Sequence, residues 1–234
     1  MLMQHAEATT GQVSKARGDV RAYAWVVFAL TVGLLLSDYM SRQVLNAVFP
    51  MLKSAWGLSD TRLGSLSSVV ALMVGVLTLP LSVLADRWGR VRSIVLMATM
   101  WSLATLGCAI STTYGEMLLA RAFVGIGEAA YGSVGIAVVL SIFPVRLRST
   151  LTAAFMAGGA FGSVMGMAIG GAVAARLGWR WAFCAMAVLG IVLVVFYRIF
   201  VTEKRLAPLQ PSGNAVKAAS LDTRMSLRAL MKGL

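Results

Sequence analysis

Six long apolar runs alternate with short polar segments along this chain, over residues 23–49, 63–84, 93–112, 117–142, 149–174 and 182–201. A helix rises about 1.5 Å per residue, so about twenty residues cross the roughly 30 Å hydrocarbon core of a bilayer. The pattern therefore predicts six transmembrane helices. The second and third runs contain no charged residue, and the nine residues around their junction, Leu84 to Arg92, hold four: Asp86, Arg87, Arg90 and Arg92. A connection this short makes the two flanking helices antiparallel neighbours. Pro50 to Arg62 reads as a loop in which Ser59 and Asp60 cap the second span. Thr113 to Glu116 reads as a tight turn, and Phe143 to Arg148 as a second short basic loop. Tyr23, Trp25, Trp179 and Trp181 fall at the ends of runs, where amphipathic rings favour the water interface of a bilayer. Residues 1–22 are expected to form a flexible tail. Residues 202–234 form a basic tail in which Arg224 to Leu234 suits an amphipathic helix on the membrane surface.

Composition agrees with the pattern. Hydrophobic residues make up 59% of the 234, charged residues only 13%, and the mean hydropathy is +0.81. These values indicate an all-α integral membrane protein. The net charge of +12 does not indicate a nucleic-acid partner, because the charge sits in tails and connections between apolar runs. Its distribution predicts orientation instead. Of the 21 Lys and Arg residues, fourteen fall in the two tails and the connections after the second and fourth spans. Four fall on the opposite side, and Arg42, Arg121 and Arg198 lie within or at the ends of spans. By the positive-inside rule both termini are expected to be cytoplasmic. The expected location is the plasma membrane, a bacterial inner membrane, as a multi-pass protein. Nothing at the N-terminus reads as a cleaved signal peptide. Cys108 and Cys184 each lie in an apolar run and read as packing residues, and His5 stands alone in the polar tail. Paired histidine ligands, a nucleophile–base arrangement and a phosphate-binding glycine loop are all missing, so neither an enzyme, a metal nor a cofactor is expected.

The candidate chemistry lies in ionisable groups inside spans, each costly in a bilayer. Asp38 and Arg42 are four residues apart on one helix face. Arg121 and Glu128 are seven apart, again on one face, with Tyr131 three residues on. Two readings are open. One is a set of ion pairs that hold helices together. The other is a proton-coupling and substrate network facing a water-filled cavity, in which Arg121 could meet an anionic substrate directly. In the fifth span Gly158, Gly162, Gly166 and Gly170 recur every four residues. Such a stripe allows close helix packing, or a face that slides against another body during transport.

Asp86, Arg87, Gly89 and Arg90 resemble the D-R-x-G-R signature of the major facilitator superfamily, at the same place between second and third spans. Ser82 stands where the family pattern has glycine, and the basic residue after the motif is moved to Arg92. Arg121, Gly125 and Gly127 resemble the family's fourth-span motif. The run Gly127-Glu128-Ala129-Ala130-Tyr131 is similar to the spinster-like and organic-anion-transporting branches. Those branches carry N-Y-x-D-R in the first span, where this chain reads Asp38-Tyr39-Met40-Ser41-Arg42; Asp38 would stand in for the missing aspartate from one turn away.

The resemblance implies a fold and a function. Residues 23–201 are one half, the N-terminal one, of a twelve-helix fold, and residues from 202 begin its central loop. The implied function is secondary active transport, proton-coupled, of a small organic anion or lipid-like substrate. Asp38, Arg42, Arg121, Glu128 and Tyr131 would line the coupling and substrate cavity. Asp86, Arg87, Gly89 and Arg90 would form the conformational gate. The partners would be the lipid bilayer, the substrate, protons, and a second six-helix half or another copy. Multidrug efflux is the alternative within transport, though no proline stands between Pro144 and Pro208 to match the fifth-span pattern of drug–proton antiporters. A non-transporting scaffold or the remnant of a truncated gene is the alternative of another class.

The predicted topology is checked by single cysteines introduced in a cysteine-free background. Positions 15, 90, 146 and 217 should label from the cytoplasmic side, and position 56 from outside. Positions 56 and 90 labelling from the same side would rule out six spans.

Overall fold

The computed structural model describes the backbone of residues 2–206, with side chains from residue 22 onward apart from Lys204. The amphipathic stretch expected at Arg224 to Leu234 lies outside the described residues. Among those residues every regular element is an α-helix: α1 (Leu2–Trp56), α2 (Asp60–Trp88), α3 (Arg90–Ile110), α4 (Tyr114–Glu128), α5 (Tyr131–Ile142), α6 (Val145–Leu177), α7 (Trp179–Phe200) and the short α8 (Glu203–Leu206). Six stretches are long and apolar enough to cross a membrane, with α4 and α5 together forming the fourth. The protein is an all-helical six-span bundle.

The helices run further than the apolar pattern. α1 begins at Leu2, so the first polar segment, expected as a flexible tail, continues the first helix. Pro50, expected to open a loop, lies inside α1, which continues to Trp56. Proline there frees the carbonyl of Asn46, an exposed residue near the end of the span, where the loss is small. The connection after α1 then shrinks to Gly57–Ser59, and the Ser59 hydroxyl accepts from the Arg62 amide to cap α2. The charged segment between α2 and α3 is a single-residue corner rather than a loop. Asp86 and Arg87 sit in the last turn of α2, Arg90 and Arg92 in the first turn of α3, and Gly89 alone turns the chain, at φ 94°. That φ suits glycine, which has no Cβ to clash. The second basic connection likewise reduces to Phe143–Pro144, with Arg146 and Arg148 already in α6.

Packing follows the small residues. α1 rests on α6 and α7, α3 on α4 and α7, and α2 on α4. The glycine stripe of α6 faces α1. A Cβ on Gly162 would come 2.6 Å from the Leu36 carbonyl oxygen, and one on Gly166 2.6 Å from the Met40 Cα. Gly170 meets Val44 in the same way, and Gly158 meets Val32. The stripe is therefore an internal seam of the bundle, and the expectation of a face that slides against, or associates with, another body does not hold for it. Close backbone approach is what such residues contribute in lipid, where dispersion contacts replace the hydrophobic effect between helices. Gly125 brings α4 onto α2 at Val70, and Gly127 brings it onto α3, with a would-be Cβ 2.7 Å from the Trp101 nitrogen. The outer surfaces are apolar: α2 exposes Leu72, Val76, Leu79 and Val83 along one stripe. A water-soluble domain would bury such a stripe; lipid or another apolar helix face accepts it.

Gly166→Ala should destabilise the bundle by about 1–3 kcal/mol, because the Met40 backbone must move. Gly64→Ala, where nothing lies within 4 Å of the added Cβ, should be neutral or slightly stabilising. Thermal unfolding in detergent measures both; equal midpoints for the two variants would contradict the seam.

Candidate functional site

The ionisable groups predicted inside spans converge, but the pairing is new. Asp38 and Arg42 share a face of α1, as their spacing requires, at 3.6 Å between Asp38 Oδ1 and Arg42 Nε. The same Nε lies 2.7 Å from Glu128 Oε2 on α4. Arg42 thus stands between two carboxylates from two helices. Arg121 and Glu128 share the expected face of α4, yet Arg121 does not pair with Glu128. Seven residues rise about 10.5 Å along a helix, too far for direct contact. Instead Arg121 donates from Nε to the Leu66 carbonyl at 3.4 Å and from Nη1 to the Ser41 carbonyl at 3.3 Å, tying α4 to α2 and α1. The four side chains form a set of two positive and two negative charges, and neutrality as a set is what makes burial at membrane depth tolerable.

Exposure separates them. Asp38, Arg121 and Glu128 are buried, and the Arg42 side chain alone keeps 28% of its surface accessible, with its guanidinium over the Tyr39 ring at 5.5 Å. An anion approaching from the open face therefore meets Arg42, while Arg121 is out of reach in this conformation. Tyr131 is fully buried, donates to the Thr31 carbonyl at 2.6 Å, and stands edge-on to Trp101 at 4.9 Å between ring centroids. It braces α5 against α1 and α3 and does not line an open cavity here.

The fourth span breaks directly after Glu128. Ala129 and Ala130 form a turn before α5 begins at Tyr131, and the Thr78 hydroxyl of α2 donates to the Ala129 carbonyl at 2.8 Å. Backbone freed from a helix inside a membrane needs such a partner. The fourth span expected over residues 117–142 is present as one membrane-length stretch, Tyr114–Ile142, interrupted by this two-residue turn.

Polar residues that sequence reasoning missed lie on the open face beside Arg42. Asn46 donates to Gln43 Oε1 at 2.7 Å, and the Ser67 hydroxyl donates to Asn46 Oδ1 at 3.4 Å. Gln43 also lines, with Ser163 and Met167, a groove of about 410 Å³ between α1 and α6. Uncharged polar side chains at helical spacing inside an apolar run were the available signal. Among the described residues no group of three or more His, Cys, Asp and Glu side chains is placed to hold a metal.

The predicted gate residues are at the arginine-rich end of the bundle. Asp86 Oδ1 and Arg90 Nε are 4.0 Å apart, and Arg90 Nη1 donates to the Ala137 carbonyl of α5 at 3.4 Å. Arg87 is exposed. The carboxylate of Glu203, from α8, lies where a Cβ on Gly89 would be, so Gly89 serves both the turn and this close approach.

Known proteins are similar to this chain in sequence and in fold. An uncharacterized MFS-type transporter, EfpA, of Mycobacterium tuberculosis is 30% identical over 78% of this chain and 34% of its own length. A probable L-galactonate transporter of Escherichia coli is 28% identical over 80% of this chain and 42% of its own. Human protein spinster homolog 1 is 28% identical over 76% and 34% respectively. The chain thus spans less than half the length of these relatives. In fold it is similar to a bacterial homolog of the human lysosomal transporter spinster, solved inward-facing and occupied, with a TM-score of 0.72 and 24% identity over 81% of this chain and 45% of that one. The unoccupied form gives 0.70 at 22% identity, over 82% of this chain and 44% of that one. The sequence model described as Major Facilitator Superfamily matches residues 31–231. Six spans with the fold of one transporter half, the D-R-x-G-R corner at Asp86 to Arg90, and a family match over most of the length lead to one assignment: this chain belongs to the Major Facilitator Superfamily.

Proposed function

We propose that these six spans are the N-terminal half of a proton-coupled secondary transporter for a small organic anion, set in a bacterial inner membrane with both termini cytoplasmic. The observation that carries the reading is the partly exposed Arg42 guanidinium held between Asp38 and Glu128. In this neutral set of charges, a proton taken up by one carboxylate weakens its hold on Arg42 and leaves one positive charge in excess. A substrate carboxylate entering at Arg42 restores neutrality. One proton and one monoanion then move together, because either alone leaves an uncompensated charge in a poorly solvated site. Gln43, Asn46 and Ser67 supply hydrogen bonds for the uncharged part of the substrate. The relative named as a probable L-galactonate transporter supports a sugar acid or similar carboxylate. Asp86, Arg87, Gly89 and Arg90 act in the conformational cycle. The second wall of the cavity comes from another six-helix half, since alternating access needs two bodies that rock about the site.

In a twelve-helix transporter carrying these spans, reconstituted in vesicles, a proton gradient should drive accumulation of a labelled sugar acid. Glu128→Gln should abolish gradient-driven accumulation and retain anion exchange; accumulation that survives the change would remove Glu128 from coupling. Asp86→Asn should slow turnover and leave equilibrium binding nearly unchanged, whereas lost binding would argue against a gating role. The 234 residues as a monomer should show no uptake at all.

The Arg42–Glu128 pair, with its carboxylate buried, also has a stability signature. Arg42→Gln strands the carboxylate of Glu128 and should cost about 3–5 kcal/mol. Adding Glu128→Gln should restore much of that loss. Additive losses in thermal unfolding would mean that the two side chains are not partners.

A further inference from the structure

We infer that the groove between α3 and α7 is a binding site for an anionic phospholipid, with the headgroup at Arg92 and Arg198 and an acyl chain lying along Leu96 and Leu103. The groove holds about 820 Å³, within the range of ligand sites, and opens on the outside of the bundle, away from the Arg42 cluster. Its two positive residues come from helices that meet at the arginine-rich end: Arg92 in the first turn of α3, Arg198 in the last turn of α7.

Below Arg92, residues Leu96, Thr99 and Leu103 follow on the same face of α3 at helical spacing, and Leu96 and Leu103 are each 54% exposed. Eleven residues from Arg92 to Leu103 rise about 16 Å, close to half of the roughly 30 Å hydrocarbon core. A positive mouth above an apolar trough one leaflet deep is the shape of an amphiphile with an anionic head.

Among the described residues neither arginine at the mouth is in an ion pair, and with one carboxylate, Glu203, in the same lining the mouth keeps a net positive charge. Glu203, which also lines the groove, has its carboxylate packed against Gly89. Basic pockets between spanning helices recognise anionic headgroups. Arginines that merely extended to the water interface would favour anionic headgroups wherever they stand, so what separates the site from general snorkelling is that the preference depends on Arg92 and Arg198 and not on Arg146 and Arg148.

The test is native mass spectrometry of the purified full chain after exchange into phosphatidylglycerol or phosphatidylcholine. The chain should retain phosphatidylglycerol by at least about tenfold over phosphatidylcholine, since each basic residue at a membrane surface adds a comparable increment of attraction. Arg92→Gln with Arg198→Gln should remove the preference, and Arg146→Gln with Arg148→Gln should leave it. Arg92, Arg198 and Arg146 are exposed and Arg148 is half-buried, so each double variant is first shown to keep the unfolding midpoint of the parent. Leu96→Trp, which fills the trough and keeps both arginines, should also lower retention. A photoreactive side chain in place of Thr99 should capture lipid. Equal retention of the two lipids, an equal loss in the Arg146/Arg148 variant, displacement by millimolar inorganic phosphate, or capture at position 99 of the chain's own residues or a second copy would each overturn the site.

Discussion

Arg42 touches Glu128 across two helices and stands beside Asp38 within its own, and burial keeps water from replacing Arg42 as the partner of either carboxylate. A charge in the hydrocarbon region must find its counter-charge within the protein. This requirement sets the relation of α1 to α4: α4 must present its last residue to α1, and α1 must keep Arg42 within reach. Arg121 adds a second constraint through the carbonyls of Ser41 and Leu66, so that one buried guanidinium locates three helices at once. The cluster is structural by the same geometry that would make it functional. Only one of its members, Arg42, reaches the open face, and any external ion acts on the remaining charges through it.

The long Arg42 side chain spans the gap from α1 to Glu128 on α4, and glycines bring the other helices close around the cluster. Gly125 and Gly127 press α4 onto α2 and α3, one turn or less before Glu128. Gly162 and Gly166 press α6 onto α1 at Leu36 and Met40, on either side of Asp38. The break at Ala129–Ala130 follows at once, and Thr78 takes up the carbonyl it frees. A rigid seam and a broken helix thus flank the same group of charges.

The arginine-rich end obeys a different solvent. There Gly89 turns the chain in one residue, Arg90 reaches the Ala137 carbonyl, and Glu203 closes over the corner. Exposed arginines at this end cost little, because water and headgroups solvate them. The groove between α3 and α7 lies at the boundary of the two regimes, with charge at its mouth and leucine below. The protein thus presents a neutral polar cluster inward and a positive rim outward.

Much of this architecture was legible in the chain itself. Apolar length alone determined six spans, since nothing shorter crosses a bilayer, and the D-R-x-G-R and G-x-G-E residues pointed to the family. The i, i+4 spacing of Asp38 and Arg42 determined their proximity, because a helix imposes it locally. Tertiary structure decided the rest. Arg121 and Glu128 share a face yet stand too far apart to pair, and which cation meets Glu128 depends on how α1 lies against α4, a relation that no local periodicity encodes. The glycine stripe was plain in the sequence, but its partner, α1, was not: a smooth face fits any close neighbour. Helix ends also escaped the apolar pattern at Pro50, Asp86 and Arg146, because a helix satisfies its own backbone in water as well as in lipid and stops only where a glycine, a proline or a cap turns the chain.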